Sequence, residues 1–517
     1  MFDEITCVYD WIKGASVKYP NRMAIYYGEE QYSYEEVMDQ VKRFANALQN
    51  VGVIKNDRVS LLTPNCPEFV ISFLSISAIG GVVIPINVQS RASELEYLLK
   101  HSESKILIID ERYARELVSI RDKIPSLKTV ILIRRKQATS EDIDSDYILY
   151  DEMISTHDPS PTHVVNELDD EAIFRYTSGT TGNPKACVCS HKSWLMTNSW
   201  LRDLWQISQD DCSLVALPIF HNFGQGMTFP LLNVGANVLL MEHFDPLDVL
   251  QKIEQKKVTV FAGVPAMYVL MLDHPKLPEI NVNSLRKMVY GGARMPVDTI
   301  LQLKKAFDCE LLNIYGLSET GSVATYNSGT TTITKADSVG RPFPNMEVRI
   351  VGEDENELAI GQTGEICLRS DSNMKGYYKS PGKTEEAFRG GWLHSGDIGH
   401  LDNEGFLFLK DRKDDMINRG GENIFPKEIE EIMYSHPKVL ECAIVGVADK
   451  VMGQAVKAFI VTKKGNNIAQ EELENYLEVR IARYKLPKYI EFVDSLPMIP
   501  SGKIDRNALR KRGNNEE

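Results

Sequence analysis

The tightest constraint on the fold is a rhythm of short apolar runs separated by helix-length intervals. Residues 58–63, 82–86 and 105–109 read as strands. Residues 34–50 read as a helix, with Glu35 and Glu36 at its start and Val37, Val41, Phe44, Ala45 and Leu48 along one side. Residues 93–101 read as another. The rhythm returns at 214–217, 238–241, 259–262 and 287–290. Strand, helix, strand at this spacing implies parallel sheets with helices on both faces.

The texture changes after Gly340. Residues 347–351, 364–369 and 405–410 read as short strands with glycine-rich breaks, which predicts a small all-β unit. A third texture begins near Asp411. Pro426 stands where a helix starts and 428–435 continues it; 442–447 and 456–461 read as strands, and 470–483 as a helix. This is a compact α+β unit of about a hundred residues. The charged segment Asp411-Arg-Lys-Asp-Asp415 is the best linker candidate. A chain of 517 residues exceeds what one core supports, so two or more domains are expected.

Composition narrows the function classes. A net charge of −14 opposes a broad nucleic-acid footprint, which needs clustered Lys and Arg, but leaves room for one locally positive anion site. Residues 69–90 carry no charge. Yet Ser72, Ser75, Ser77 and the pair Gly80-Gly81 interrupt them, and a span needs about 20 mostly apolar residues. A buried helix, a glycine turn and a buried strand are expected there, with no transmembrane segment. Eight scattered cysteines give no disulfide framework. Cys187-Val-Cys-Ser-His191 alternates three metal-type side chains on one strand face, but no fourth ligand is near, so a buried strand is expected rather than zinc. The start lacks a leader pattern, which with the cysteines favours cytoplasm.

The densest chemical signal is Tyr176-Thr-Ser-Gly-Thr-Thr-Gly-Asn-Pro-Lys185. Glycines allow close backbone approach, consecutive N–H groups can form an anion nest, and hydroxyls and a lysine add donors. Phosphates of a nucleotide belong here. The spacing is not that of a P-loop, because Pro184 separates Gly182 from Lys185. Further segments follow strands, where open parallel sheets bind ligands. Tyr290-Gly-Gly-Ala-Arg294 can admit something flat. In Asn313-Ile-Tyr-Gly-Leu-Ser-Glu-Thr320, Tyr315 can cover a base, Thr320 can donate to phosphate and Glu319 can hold magnesium. Gly391-Trp-Leu-His-Ser-Gly-Asp397 ends in a carboxylate able to accept from both hydroxyls of a ribose, and Arg412 can join it. Pro500-Ser-Gly-Lys503 could deliver a point charge to a transferring phosphoryl group.

Together these segments resemble the adenylate-forming superfamily: acyl-CoA ligases, firefly luciferases and peptide-synthetase adenylation domains. Asp411–Asp415, Arg419-Gly-Gly-Glu-Asn-Ile-Phe-Pro426 and Pro500-Ser-Gly-Lys-Ile504 add to the match, which runs from about residue 10 to 507. The resemblance implies an α/β fold with a large N-terminal domain of two αβαβα layers plus a small β-barrel, over 1–410 with the barrel at about 335–410. A hinge at 411–415 and a mobile C-terminal α+β lid over 416–517 complete it. It implies two half-reactions. A carboxylate attacks the α-phosphorus of Mg-ATP, giving acyl-AMP and pyrophosphate; a thiol, most often that of coenzyme A, then displaces AMP.

By the same resemblance Thr177, Ser178, Gly179, Thr180, Thr181, Gly182 and Lys185 hold the β- and γ-phosphates. Thr320 contacts the α-phosphate and Glu319 helps hold Mg²⁺. Tyr315 stacks on adenine beside Gly291, Gly292 and Ala293, with Asn313 and Gly316 in the same pocket, and Asp397 and Arg412 grip the ribose. Lys503 is the adenylation lysine. Asp414 is the hinge, whose rotation replaces Lys503 with the face around Arg419, Gly420 and Gly421.

The acid is constrained less. Amino-acid-adenylating members place an aspartate near residue 220, whereas this chain has Pro218-Ile-Phe-His-Asn-Phe-Gly224. His221 resembles the histidine that lines the carboxylate pocket of acyl- and aryl-CoA ligases. Val264, Met267, Tyr268, Ala293 and Met295 are the expected wall. A medium- or long-chain fatty acid is expected first, then an aryl or small unusual acid. A free-standing ligase that charges a separate carrier protein stays open. A homodimer is the default assembly, and a peripheral membrane contact stays open because fatty substrates partition there.

Overall fold

The computed structural model describes residues 5–135, 146–177, 184–293, 295–413, 415–419, 422–463, 465, 468–498 and 504–514. The chain packs as two compact units interleaved in sequence. One comprises Met1–Glu347 with Leu368–Leu393, the other Val348–Cys367 with His394–Glu517. This packing division crosses the β-rich segment instead of falling at 411. A packing boundary and a rotation axis are different properties, and the hinge expected at Asp414 lies outside the described residues.

The first unit is built on a nine-stranded and an eight-stranded sheet. In the nine-stranded sheet the strands Cys212–Val215, Val260–Gly263, Lys287–Gly291 and Glu310–Tyr315 lie side by side and parallel. In the eight-stranded sheet Arg58–Leu62 lies parallel between Val82–Pro85 and Ile106–Asp110. The expectation of parallel sheets needs one correction, because antiparallel pairs occur at both ends of the nine-stranded sheet and at one end of the eight-stranded sheet. Glu30–Ser33 turns back on Met23–Tyr27, Thr325–Ser328 on Glu310–Tyr315, and Lys185–Ser190 on Glu171–Thr177. Each of these follows its partner through a connection too short for a crossover helix.

Local signals explain the helices that brace these sheets. Tyr34–Asn50 begins with a capping box: Ser33 accepts from the Glu36 N–H, and the Glu36 carboxylate accepts in return. Those hydrogen bonds to Ser33 hold the Glu36 carboxyl below its usual range. The uncharged stretch resolves into helix Pro67–Ala78, almost wholly buried, and strand Val82–Pro85, buried throughout. A helix apolar on all sides belongs in an interior. Its Phe73 packs against Trp194 and Phe229, with ring centroids 6.0 and 4.8 Å away, and Trp11 meets Trp194 edge-on. No helix among the described residues is long and apolar enough to cross a membrane.

Two further expectations are corrected here. Cys187 and Cys189 do share a buried strand face, but His191 opens helix His191–Leu204 and leaves that face. All eight cysteines are free and buried. Asp411 is not a solvated linker residue. It ends up buried in strand Leu407–Arg412, where its carboxylate accepts the Arg412 and Lys427 N–H groups. Burial nonetheless pushes its carboxyl above the usual range.

The second unit holds a four-stranded sheet and a five-stranded sheet. In the latter, Val439–Asp449 pairs antiparallel with Gly453–Thr462. Alternation along these strands fills two cores. Cys442, Ile444, Val456 and Ile460 face helices Pro426–Tyr434 and Gln470–Glu478, while Ala443, Val445, Val447 and Phe459 face Leu509 of helix Arg506–Asn514. The helix expected over 470–483 stops at Glu478. Leu473 and Leu477 reach the core, but Val479 is 78% exposed, so nothing draws the next turn inward.

Candidate active site

Parallel strands of the nine-stranded sheet deliver their carboxyl ends to one edge. There Gly263 pairs with Tyr290, and Gly291 with Ile314. Gly291 is buried against the next strand, and exposed Gly292 leaves a bare ledge just beyond it. A Cβ on Gly291 would lie 2.8 Å from the Ile314 carbonyl oxygen and 3.6 Å from the Phe223 ring. Gly292 has φ 77°, a left-handed conformation that glycine adopts without strain, and the position of its Cβ would fall 3.7 Å from Val264. Ala293 is exposed beside them. Met267, Tyr268 and Met295 are buried, and the Tyr268 hydroxyl donates to the Val289 carbonyl at 2.6 Å.

His221 stands at the N-cap of helix Asn222–Val234, half-buried, with its ring 4.4 Å from Phe220. The turn that carries it is pinned. The Ile219 N–H donates to Asn65 Oδ1, the His221 N–H to the Pro218 carbonyl, and the Gln225 amide to the Ile219 carbonyl. Gly224 is obligatory, since a Cβ would sit 2.3 Å from the Pro218 carbonyl oxygen.

The hairpin from Glu310–Tyr315 to Thr325–Ser328 carries the next residues. Asn313 and Tyr315 are buried on the strand, and Asn313 Nδ2 donates to the Ser338 carbonyl at 3.4 Å. A Cβ on Gly316 would lie 2.1 Å from the Ser322 carbonyl oxygen, so only glycine closes this turn. Ser322 itself holds φ 107°, a strained value for a residue with a side chain. Thr320 is fully buried, and its hydroxyl both donates to the Leu317 carbonyl and accepts the Leu317 N–H. Glu319 is half-buried on the same turn.

The phosphate-loop residues Ser178, Gly179, Thr180, Thr181 and Gly182 lie outside the described residues, but both flanks are placed. Thr177 pairs directly with Lys185 across strands Glu171–Thr177 and Lys185–Ser190. Helix Ala92–Ser102 holds the two flanks together. The Tyr97 hydroxyl donates to the Pro184 carbonyl at 3.0 Å, and His101 Nδ1 meets the Tyr176 hydroxyl at 2.8 Å. Burial, then the Lys379 charge, holds the His101 imidazole below its ordinary range, which favours the neutral ring at that contact.

The Lys185 ammonium lies 5.0 Å from the centre of the Tyr377 ring, and the Tyr377 hydroxyl donates to Glu319 Oε1 at 2.8 Å. The structure thus brings together Lys185, from the loop, and Glu319, the expected metal ligand. The residue between them was missed by the sequence reasoning. A glycine followed by two tyrosines, Gly376-Tyr377-Tyr378, was the available signal. Tyr97 and His101 were missed too, for want of any motif.

The remaining site residues lie in the second unit. Asp397 and Arg412 are cross-strand partners, joined from Nε to Oδ1 at 2.8 Å, and Asp397 is buried. Arg419 donates to the Tyr484 carbonyl at 2.8 Å. Gly420, Gly421 and Lys503 lie outside the described residues.

Among the described residues no group of three or more His, Cys, Asp or Glu is arranged to hold a metal. Glu319 supplies one hard oxygen. That donor set fits magnesium, which keeps several waters and binds through one or two carboxylates plus substrate phosphates.

A glycine ledge, a pinned histidine, and a lysine and a carboxylate bridged by one tyrosine gather near strand ends, where an α/β enzyme binds its ligand. The comparisons specify which kind. The AMP-binding enzyme family matches residues 13–378, and the AMP-binding enzyme C-terminal domain matches 428–503. A long-chain-fatty-acid–CoA ligase of Bacillus subtilis (strain 168) is 32% identical, over 96% of this chain and 92% of its own. A feruloyl-CoA synthase of an Amycolatopsis species is 34% identical, over 95% and 96%. The crystal structure of ATP-bound MatB from Rhodopseudomonas palustris superposes with a TM-score of 0.88 at 28% identity, covering 98% of each chain. The chain belongs to the AMP-binding enzymes, the adenylate-forming superfamily that includes the acyl- and aryl-CoA ligases. It is an AMP-forming acid–thiol ligase that binds ATP.

Proposed function

We propose that this ligase joins a medium- or long-chain fatty acid to coenzyme A. The acid's carboxylate oxygen attacks the α-phosphorus of ATP and pyrophosphate leaves. The coenzyme A thiol, losing its proton, then attacks the acyl carbon and AMP departs. Magnesium, when bound, screens the charge on the phosphate oxygens. Glu319 would hold it, and Lys185 would face the phosphates. Lys503 would serve adenylation, and rotation at Asp414 would replace it with the face around Arg419, Gly420 and Gly421. The cytoplasm is the proposed location.

The observation that carries the acid class is the ledge. Exposed backbone at Gly292 adjoins Val264, buried Gly291 packs against Ile314 and the Phe223 ring, and Met267 and Met295 are buried. Among residues 217–223 and 263–268 no carboxylate stands ready for a substrate ammonium. Methionine walls adapt to flexible chains. Such walls separate chain lengths by only about 1–3 kcal/mol per methylene, so a family of lengths is expected as substrates. His221, fixed at its N-cap, would border the reacting carboxylate.

A second reading is an aryl acid lying flat beside Gly292. The feruloyl-CoA synthase relative supports it. The test is pyrophosphate release across a panel of fatty and aryl acids, with and without coenzyme A. Release that needs a fatty acid, with AMP appearing only when coenzyme A is added, supports the proposal. Preference for aryl acids selects the second reading. AMP release driven by a carrier protein and not by coenzyme A replaces the acceptor, and ADP as product ends the scheme.

A further inference from the structure

We propose that Tyr377 is a positioning residue of the adenylation site, setting the Glu319 carboxylate for a nucleotide-bound divalent cation while its ring steadies the Lys185 ammonium. This rests on the nucleotide reading above. The geometry is specific. Tyr377 lies opposite Cys187 in the short antiparallel pairing of Gly376–Tyr377 with Lys185–Ser190. Side chains two apart on one strand share a face, so Lys185 is the diagonal neighbour of Tyr377. The hydroxyl at the far end of the ring then reaches Glu319 Oε1 at 2.8 Å.

Tyr377 is itself held. Its N–H donates to Thr384 Oγ1 at 2.9 Å, and the preceding Gly376 has φ 152°, where an added Cβ would lie 2.7 Å from the Thr384 methyl. Glu319 is tied to the same segment by its backbone, since its carbonyl accepts the Met374 N–H at 2.7 Å. Carboxylate and phenol are thus fixed by two independent bonds between the same two segments.

The choice of a phenol matters chemically. A lysine or arginine at this place would neutralise Glu319 and compete with a metal cation. A tyrosine hydroxyl occupies one carboxylate oxygen and leaves the full negative charge, with the other oxygen oriented to coordinate. Its ring face likewise attracts the Lys185 ammonium without pairing away the charge. The Cys187 thiol is pushed well above its usual range, first by burial and next by the Glu319 charge.

The test uses the full chain, Mn²⁺ as the metal probe and α,β-methylene-ATP, read by the electron paramagnetic resonance of free Mn²⁺. Tyr377→Phe keeps the ring and removes the donor. It is expected to weaken Mn²⁺ binding in the ternary complex about tenfold, with nucleotide affinity in EDTA changed by less than roughly twofold. Tyr377→Leu should weaken both, because Lys185 loses its ring. In a Glu319→Gln background, Tyr377→Phe should add almost nothing, which separates positioning from a general loss of structure. Unchanged Mn²⁺ affinity in Tyr377→Phe, or full additivity with Glu319→Gln, overturns the assignment. Failure of the parent protein to bind Mn²⁺ with the nucleotide would instead overturn the nucleotide reading beneath it.

Discussion

Two sets of opposite charges, one in each unit, are built from residues far apart in sequence and treated in opposite ways. In the second unit Arg506 grips Glu430 with two nitrogens, at 2.8 and 2.9 Å, and donates to the Ile444 carbonyl at 2.7 Å. Asp415 faces both Arg506, at 3.6 Å, and Arg510. Burial works against the Arg506 charge, but Glu430, Asp415 and Asp411 together outweigh it and raise the guanidinium above its already high range. In the first unit, Lys185 and Glu319 make no ion pair with each other and are bridged by a neutral ring. Direct pairing consumes charge to fasten the tail helix Arg506–Asn514 to the strand–helix core. Mediated pairing keeps charge available for a ligand. The contrast separates a fastening from a receptor without reference to any motif.

The sharpest way to break the comparison is Arg506→Ala. Removing one partner of a largely buried pair strands Glu430, and the second unit should lose about 3–4 kcal/mol of stability in urea titration. Arg506→Met, together with Glu430→Met, should recover most of it. Loss of adenylation without any loss of stability would place Arg506 with the ligand-facing charges instead.

Acid stability comes next. His191 is buried, neither ring nitrogen meets a hydrogen-bond partner among the described residues, and burial lowers its imidazole to about 4. A depressed folded value means the unfolded chain binds the extra proton first. The stabilising contribution is therefore complete above the ordinary value near 6.5 and is lost as pH falls toward 4, about 3 kcal/mol in all. In His191→Leu this slope should flatten, as read by denaturant titrations between pH 7 and 4. A slope equal to that of the parent would show that the ring protonates without cost.

Glu319→Gln sharpens the other side. Adenylation, followed as pyrophosphate exchange into ATP, should fall roughly a hundredfold. The melting temperature should move little, since a ligand-facing charge adds little to the fold. The smallest effect is expected from Tyr97→Phe, which removes one hydroxyl from the Pro184 flank. It should raise KM for ATP about threefold to fivefold at nearly constant kcat, equivalent to about 1 kcal/mol. An effect on kcat alone would argue against a role in seating the nucleotide.

Much of the architecture was legible because its signals are local. Helix Tyr34–Asn50 declares itself through its apolar face and the Ser33–Glu36 box. The strands of the nine-stranded sheet show as apolar runs, off by a residue or two at their ends. What failed was set by tertiary packing. The helix ending at Glu478 stops where burial stops, although Arg480, Ala482 and Arg483 are good helix formers. The hairpin from Thr177 to Lys185 turns antiparallel through a loop whose composition spoke of phosphate, not of strand direction. In the site, Glu319 and Lys185 were legible from spacing within their own segments. Tyr377 was not, because its hydroxyl acts on a residue 58 positions away and its ring on one still farther.

Asn65 holds a different lesson. Its amide nitrogen reaches the Val215, Leu217 and Met241 carbonyls at 3.3, 2.9 and 2.9 Å, and its oxygen accepts from Ile219 at 2.8 Å. One side chain issuing from the eight-stranded sheet thus completes the outlets of two strands in the nine-stranded sheet. The halves of the large unit are consequently not interchangeable parts. Chimeras that cross lineages between residues 65 and 212 must carry this amide with its recipients or strip a hydrogen bond from the Leu217 and Met241 carbonyls and the Ile219 N–H, beside the histidine turn.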